Sequence, residues 1–303
     1  MLKLEVIQIT FSIRIMDKIL DGKKLAERLN SALKDKIDTL YPSIGFKPRL
    51  GVILVGENPA SEIYVNIKLR TGNQVGIESK LVRLNETISK HELLNEISKL
   101  NEDETIHGII LQLPLPDHLQ GDVPEFLEHI TPAKDIEGLH PINKGKLFDY
   151  DEEFVPCTAK GIIKLIEFYG IEIAGKEVVI INRSNLVGKP LIFLFLKRNA
   201  TVTVCHTSTK DIDFHIKRAD ILVVAVGRPN FITKERIKHD VIIVDVGTNR
   251  VDGKLCGDVN FDDVYEKVRY ITPVPGGVGP LTVATLLDNT FLAYEKQFAG
   301  NQD

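Results

Sequence analysis

The sequence predicts an α/β protein of two domains, the second doubly wound in the Rossmann manner, and three observations carry that reading. The chain has 303 residues, more than the roughly 100–200 that one domain usually takes. Short apolar runs alternate with amphipathic helical stretches, the pattern of parallel sheets. The apolar runs of the second half are nearly unbroken Val and Ile, as strands covered on both faces require.

Residues 1–15 alternate loosely between apolar and polar, without the compact apolar region or small-residue cleavage site of a signal peptide, and read as an upstream extension or loosely attached arm. Met16 opens the more regular MDKILDGKK. From Asp21 as N-cap, Leu25, Leu29, Leu33, Ile37 and Leu40 lay one apolar stripe on a helix that Tyr41-Pro42 is expected to end. Leu50–Val55 is a strand closed by Gly56. Asn58-Pro59 supplies an N-cap and a pre-set first helical residue, so a helix is expected from about Pro59 to Gln74. Ile77–Leu84 and Ile106–Leu113 read as further strands, with a helix from Ser89 to Leu100 between them. The polar stretch around Gly145–Glu153 is the expected crossing between domains.

A second series starts after Pro156 with a helix near Thr158–Phe168. Strands are expected at Val178–Ile181, Val202–Cys205, Ile221–Ala225 and Val241–Val246. The tail PLTVATLLDNTFLAYEKQF reads as a last amphipathic helix, and its periodicity does not say on which domain it packs. The division that follows is 1–153 for the N-terminal domain and 154–280 for the nucleotide-binding domain, with the final helix, about 281–298, free to pack back on the first.

Composition narrows the function classes. A net charge of -4 lacks the basic excess that neutralising nucleic-acid phosphates demands. No apolar run approaches the ~18 residues of a membrane span. Cys157, Cys205 and Cys256 are odd in number and far apart, which suggests neither a disulfide framework nor a zinc site and fits a reducing cytoplasm.

Five segments carry chemistry. In ASEIYVNIK, Tyr64 and Lys68 lie four positions apart and project from one helical face, either towards a reacting centre or as a solvated lysine beside a half-buried phenol. In GIILQLPLP, Gln112 sits in an otherwise apolar strand end. There it bonds either to backbone or to a ligand beyond the strand, where open α/β sheets place ligand contacts. The loop PAKDIEGLHPINKGKL holds Asp135 and Glu137, which can cap a helix, accept from a ligand's amines or stand in solvent. VVIINRSNLVGKP runs from a buried strand through a turn into a helix near Gly188, whose unpaired N–H groups suit a phosphate. It lacks the GxGxxG fingerprint. The following strand ends Cys205-His206-Thr207 with no acidic residue for a ribose 2′-hydroxyl, and with Arg183 in the turn this favours NADP over NAD. Finally, ITPVPGGVGPLTVA packs three prolines and three glycines into Pro273–Pro280, which fixes an unusual main-chain shape and lets another group approach it closely.

Taken in order, YVNIK, LQLPLP, KDIEG, NRSNLVGKP and TPVPGGVGPLTVA resemble the bifunctional methylenetetrahydrofolate dehydrogenase/methenyltetrahydrofolate cyclohydrolase family, from Met16 to the final helix. The resemblance implies an N-terminal folate-binding catalytic domain, a C-terminal Rossmann-type NADP-binding domain, tetrahydrofolate derivatives as substrates, no metal and a homodimer. It implies that Lys68 moves a proton in the cyclohydrolase step, that Tyr64 packs on the folate, and that Gln112 holds lysine and substrate in place. A lysine working near pH 7 needs its pKa lowered from roughly 10.4, as burial in a cleft does. It further implies that Asp135 and Glu137 grip the pterin, with Pro275, Gly276 and Gly277 on the folate side. Asn182, Arg183, Ser184, Gly188, Thr207, Gly227 and Thr248 form the implied cofactor set. Two positions depart from the family's pattern. Glu137 stands where aspartate is usual, displacing the carboxylate by about 1 Å, and Asn182 stands where glycine is common, bringing a side chain close to the cofactor turn. Two other readings remain at this point. A shikimate-dehydrogenase-like NADP enzyme leaves YVNIK, LQLPLP and TPVPGGVGP without purpose, and a catalytically silent folate- and NADP-binding protein leaves the conjunction of Tyr64, Lys68 and Gln112 unexplained.

Overall fold

The structure, a computed structural model, describes residues 18–299, so the arm expected over residues 1–15 lies outside them. Its first half holds α1 (Gly22–Ile44), β1 (Arg49–Val55), α2 (Pro59–Val75), β2 (Glu78–Leu84), α3 (Lys90–Glu102) and β3 (Gly108–Leu111). Three short helices follow: α4 (Asp117–Gln120), α5 (Val123–His129) and α6 (Pro141–Phe148). Then come α7 (Cys157–Phe168), β4 (Glu177–Ile181), α8 (Gly188–Lys197), β5 (Thr201–Cys205), α9 (Ile212–Arg218), β6 (Ile221–Val224) and β7 (Ile242–Asp245). A hairpin of β8 (Asn249–Val251) and β9 (Lys254–Cys256), α10 (Phe261–Val264), β10 (Tyr270–Ile271) and α11 (Val278–Ala299) complete it.

Helix starts follow their caps. The Asn58 side chain accepts from the amides of Ala60 and Ser61 at 3.0 and 3.1 Å, Ser89 and Glu92 close a reciprocal capping box, and Asp21 accepts from Lys24 N at 2.9 Å. Each such cap contributes about 1 kcal/mol, enough to fix the first turn. Three expectations shift. α1 runs past Pro42 to Ile44, because a proline in the last turn forfeits only one backbone bond, and the helix closes instead at Gly45, left-handed at φ 85°, whose N–H reaches Tyr41 O. β3 ends at Leu111, short of Leu113, since Gln112 N still reaches Ile53 O at 2.9 Å but Pro114 has no N–H to continue the ladder. The expected crossing around Gly145–Glu153 is partly helical, because Pro141 starts α6 and its Leu147 is buried.

All strands of the two main sheets pair in parallel, in the orders β2-β1-β3 and β10-β7-β6-β4-β5. In each sheet the first strand lies inside, between the second and the third. Crossovers therefore leave β1 and β4 in opposite directions, and the carboxyl ends of β1/β3 and β4/β6 open a crevice there. Leu20 N donates to Ile271 O at 2.8 Å, so the first described residues run beside β10.

Four apolar clusters cover both faces of both sheets. Two of them share the same pair of helices. α1 places Leu25 and Ala26 in the core of the second sheet and Leu33 and Ile37 in that of the first; α11 does the same with Leu281 and Ala284, then Leu286, Leu287 and Phe291. At the amino end of the first sheet His107 is buried, accepts from Arg49 N through Nδ1 at 2.9 Å, and clusters with the rings of Phe46 and Tyr294. Burial pushes its imidazole down to about 4. The unfolded chain, with an ordinary histidine near 6.5, then takes up a proton that the folded chain refuses, so stability is full above pH 6.5 and falls as pH drops towards 4. Urea unfolding of the wild type should show a loss on the order of 2–3 kcal/mol between pH 7 and pH 4, and His107→Gln should flatten this dependence.

Candidate active site

The first crevice gathers its polar groups from three elements. Lys68, on α2, has a side chain 12% exposed, and its ammonium donates to Gln112 Oε1 at 3.0 Å. Gln112 is buried just beyond β3, and its Nε2 donates to Leu113 O. That second bond sets which way the amide faces, so the oxygen meets the lysine. Glu137 Oε1 stands 3.9 Å from the same ammonium. This exceeds hydrogen-bond reach, so the attraction is Coulombic. Burial pushes the Glu137 carboxyl above the ordinary range, opposed by the charge of Lys68. Beside them Ile63, Tyr64 and Ile67 leave an apolar, aromatic wall exposed on α2, an unusual face for a helix packed on a sheet and one suited to a flat ring.

The KDIEG loop divides its charges. Lys134 is buried and donates to the carbonyls of Leu100, Asn101 and Asp103 at 3.1, 2.7 and 2.9 Å, capping α3. Asp135, 2% exposed, accepts from Leu139 N, His140 N and Asn143 Nδ2 at 3.1, 2.8 and 2.8 Å. Its carboxylate thus serves the loop rather than the crevice. Gly138 has φ 68°, and a Cβ there would lie 2.6 Å from Val155 C. Of the loop's charged groups, only that of Glu137 reaches Lys68.

At the second crevice, Arg183, Thr207, Gly227 and Thr248 are exposed on the turns after β4, β5, β6 and β7. The Asn182 side chain folds into its own turn. It accepts from Ser184 N at 2.8 Å and Gly188 N at 2.9 Å, and donates to Ala225 O at 2.7 Å. The extra side chain thus shapes the turn. Ser184 Oγ accepts from Val187 N at 3.1 Å. Gly188 is required: a Cβ there would meet Asn182 O at 2.1 Å. The glycine-rich loop is partly explained by self-contact, since a Cβ on Gly22 would lie 1.8 Å from Gly277 O and Lys23 N donates to Gly276 O at 2.8 Å. Pro275, Gly276 and Gly277 lie immediately before α11.

Sequence reasoning missed two buried carboxylates behind the second crevice. Asp258 accepts from the amides of Val226, Gly227 and Arg228 at 2.6, 3.1 and 2.8 Å. Asp245 accepts from Gly247, Asp258 and Val259 at 2.9, 3.0 and 2.9 Å, while burial pushes it up to about 6. Their signal was present in DVG and GDV: a Cβ on Gly257 or Gly247 would strike these carboxylates.

Comparison with known proteins gives a consistent result. Residues 20–137 match the family described as tetrahydrofolate dehydrogenase/cyclohydrolase, catalytic domain, and residues 156–298 match tetrahydrofolate dehydrogenase/cyclohydrolase, NAD(P)-binding domain. A "Bifunctional protein FolD" from Sulfurihydrogenibium sp. (strain YO3AOP1) is 51% identical over 281 residues, 92% of this chain and 98% of that protein. The solved bifunctional FolD methylenetetrahydrofolate dehydrogenase/cyclohydrolase of Campylobacter jejuni is 46% identical with a TM-score of 0.88, covering 92% of this chain and 99% of the other. The methylenetetrahydrofolate dehydrogenase-cyclohydrolase of Trypanosoma brucei, solved with NADP cofactor and an inhibitor, is 36% identical with a TM-score of 0.88, covering 92% and 98%.

Asn182→Ala removes one donor and one doubly used acceptor from the turn after β4. Urea unfolding should show a loss of about 1–3 kcal/mol.

Proposed function

The chain belongs to the tetrahydrofolate dehydrogenase/cyclohydrolase family, and on that premise we propose that it oxidises 5,10-methylenetetrahydrofolate with NADP and hydrolyses the resulting methenyl compound to 10-formyltetrahydrofolate. The observation that carries this reading is the Lys68 ammonium, enclosed at the carboxyl end of the first sheet between Gln112 Oε1 and Glu137 Oε1 at 3.0 and 3.9 Å.

Glu137 accepts hydrogen bonds from the amino-pterin at the face of its carboxylate that opens on the crevice, and Tyr64 packs on the folate from the exposed wall of α2. Both roles fit the side chains as they stand: the carboxylate is enclosed but open to the crevice, and the phenol is half exposed. Gln112, with its amide orientation set by Leu113 O, keeps the ammonium aimed at the one-carbon unit. The methenyl carbon is already electrophilic, so water adds to it while Lys68 moves the proton, and ring opening follows. Asp135 contributes indirectly, by holding the loop that presents Glu137. Pro275, Gly276 and Gly277 lend main-chain groups to the folate side.

The turns after β4 and β6 fit a dinucleotide: a helix of ten residues starts at a glycine without room for a Cβ, at the switch point of the sheet. NADP supplies the hydride acceptor when bound there. Asn182 and Ser184 shape the turn, Gly188 opens the helix end to the phosphates, Arg183 and Thr207 meet the 2′-phosphate, and Gly227 and Thr248 border the crevice. Asp258 holds the amide of Gly227 in place. The reading assigns residues 1–153 to the folate side and 154–280 to the NADP side, with the final helix bridging them. It includes a homodimer, expected from the family resemblance and checked by light scattering, in the reducing cytoplasm that the dispersed cysteines fit; no described helix is long and apolar enough to cross a membrane.

Lys68→Met should lower cyclohydrolase turnover by about 10²–10⁴-fold while leaving the melting temperature close to that of the wild type; normal hydrolysis by that variant removes Lys68 from the mechanism. Arg183→Ala should raise KM for NADP by about 10-fold or more and that for NAD far less, as read by absorbance of the reduced nicotinamide. Equal effects on both would contradict the assignment of the 2′-phosphate.

A further inference from the structure

The carbonyl of Ile136 and the amide of Glu137 form one peptide unit, and that unit is held from the far end of the chain. Asn289, in the middle of α11 and fully buried, donates through Nδ2 to Ile136 O at 2.8 Å, with longer contacts to Val155 O at 3.5 Å and Cys157 Sγ at 3.7 Å. Its Oδ1 accepts from Lys160 Nζ at 2.8 Å, which fixes the orientation of the amide. Lys160 is tied in turn to Glu153 O at 3.2 Å. The Cys157 thiol donates to the same Ile136 carbonyl at 3.4 Å, and burial keeps that thiol protonated. Three segments, the KDIEG loop, the start of α7 and α11, therefore converge on one oxygen, two bonds away from the nitrogen of Glu137.

The purpose of this convergence follows from what else fixes the loop. Lys134 and Asp135 anchor it before Ile136, and Gly138 wedges it against Val155 and Pro156 after Glu137. Without Asn289 the Ile136 carbonyl keeps only the weak thiol as a hydrogen-bond donor among the described residues, and the plane of that peptide is less firmly fixed. A rotation of that plane swings the Glu137 side chain relative to Lys68. An error of about 1 Å in such a placement has large kinetic consequences.

We propose that Asn289 is a positioning residue for Glu137, so that pterin recognition in the first crevice depends on one amide of the C-terminal helix. The inference rests on the reading of Glu137 as the pterin-binding carboxylate. Asn289 touches neither Lys68 nor the crevice; it acts through the main chain.

The test is steady-state kinetics with each substrate varied separately. Asn289→Asp keeps size and the partnership with Lys160 but turns an acceptor towards Ile136 O. It should raise KM for methylenetetrahydrofolate about 10-fold and change KM for NADP less than about twofold. Placed on a Glu137→Gln background, the same substitution should add nothing further to the folate KM, because the group it positions is already lost. Lys160→Met, which removes the orienting donor but leaves the amide, should act in the same direction by about threefold and serves where Asn289→Asp does not fold. Additive effects in the double variant, or equal rises in both KM values, overturn the inference while leaving Glu137 its role. A Glu137→Gln enzyme with unchanged folate KM overturns the reading beneath it.

Discussion

The packing of α1 against α11 holds the two sheets together. Each helix contributes side chains to both sheet cores: Leu25 and Leu281 on one side, Leu33, Ile37 and Phe291 on the other. A buried Leu or Phe is worth roughly 1.5–3 kcal/mol, so separating the sheets would strip several such contributions at once. The glycine at the start of α1 then fits against Gly277 with no space for a methyl group, which locks the loop preceding α11 to the same pair. Both crevices are therefore formed on a scaffold whose internal geometry is set by apolar burial rather than by the polar groups that line them.

On that scaffold the polar chemistry is sparse and each group has one task. Of the charges in KDIEG, Lys134 closes a helix end and Asp135 closes the loop; Glu137 alone meets Lys68. The lengthened carboxylate is compatible with this arrangement because it stops at a Coulombic distance instead of collapsing into a direct hydrogen bond. A tight ion pair would tie up both charges, whereas Gln112 holds the ammonium without neutralising it.

The sheets and helix starts were legible because their signals are local: Val and Ile runs, the Asn58-Pro59 cap, the Ser89–Glu92 box. The contact of Lys68 with Gln112 was legible only through the resemblance, since forty-four positions separate them and no periodicity links a helix to the end of a distant strand. Asp135 shows the limit of reading residue types. Two carboxylates spaced two apart look equivalent in sequence, and only the fold reveals that one meets three donors of its own loop while the other does not. Asp258, Asp245 and Asn289 were missed for a related reason: a side chain that satisfies backbone amides or carbonyls from other segments leaves no mark except the small neighbours that make room for it. Pro42 misled because a proline near a helix end costs little, and the true stop lay three residues on at Gly45.

The side chain of Asn182 has a consequence of its own. β4 and β6 are paired up to Ile181 and Ala225, after which their main chains part. The Asn182 amide, bonded to Ala225 O and to two N–H groups ahead, adds one more rung to the ladder, made of side chain where backbone no longer reaches. The turn is thereby rigid before any guest arrives, and the entropy of ordering it is lost during folding rather than during association. Free and occupied forms should share one turn shape, so no backbone rearrangement there is charged against association.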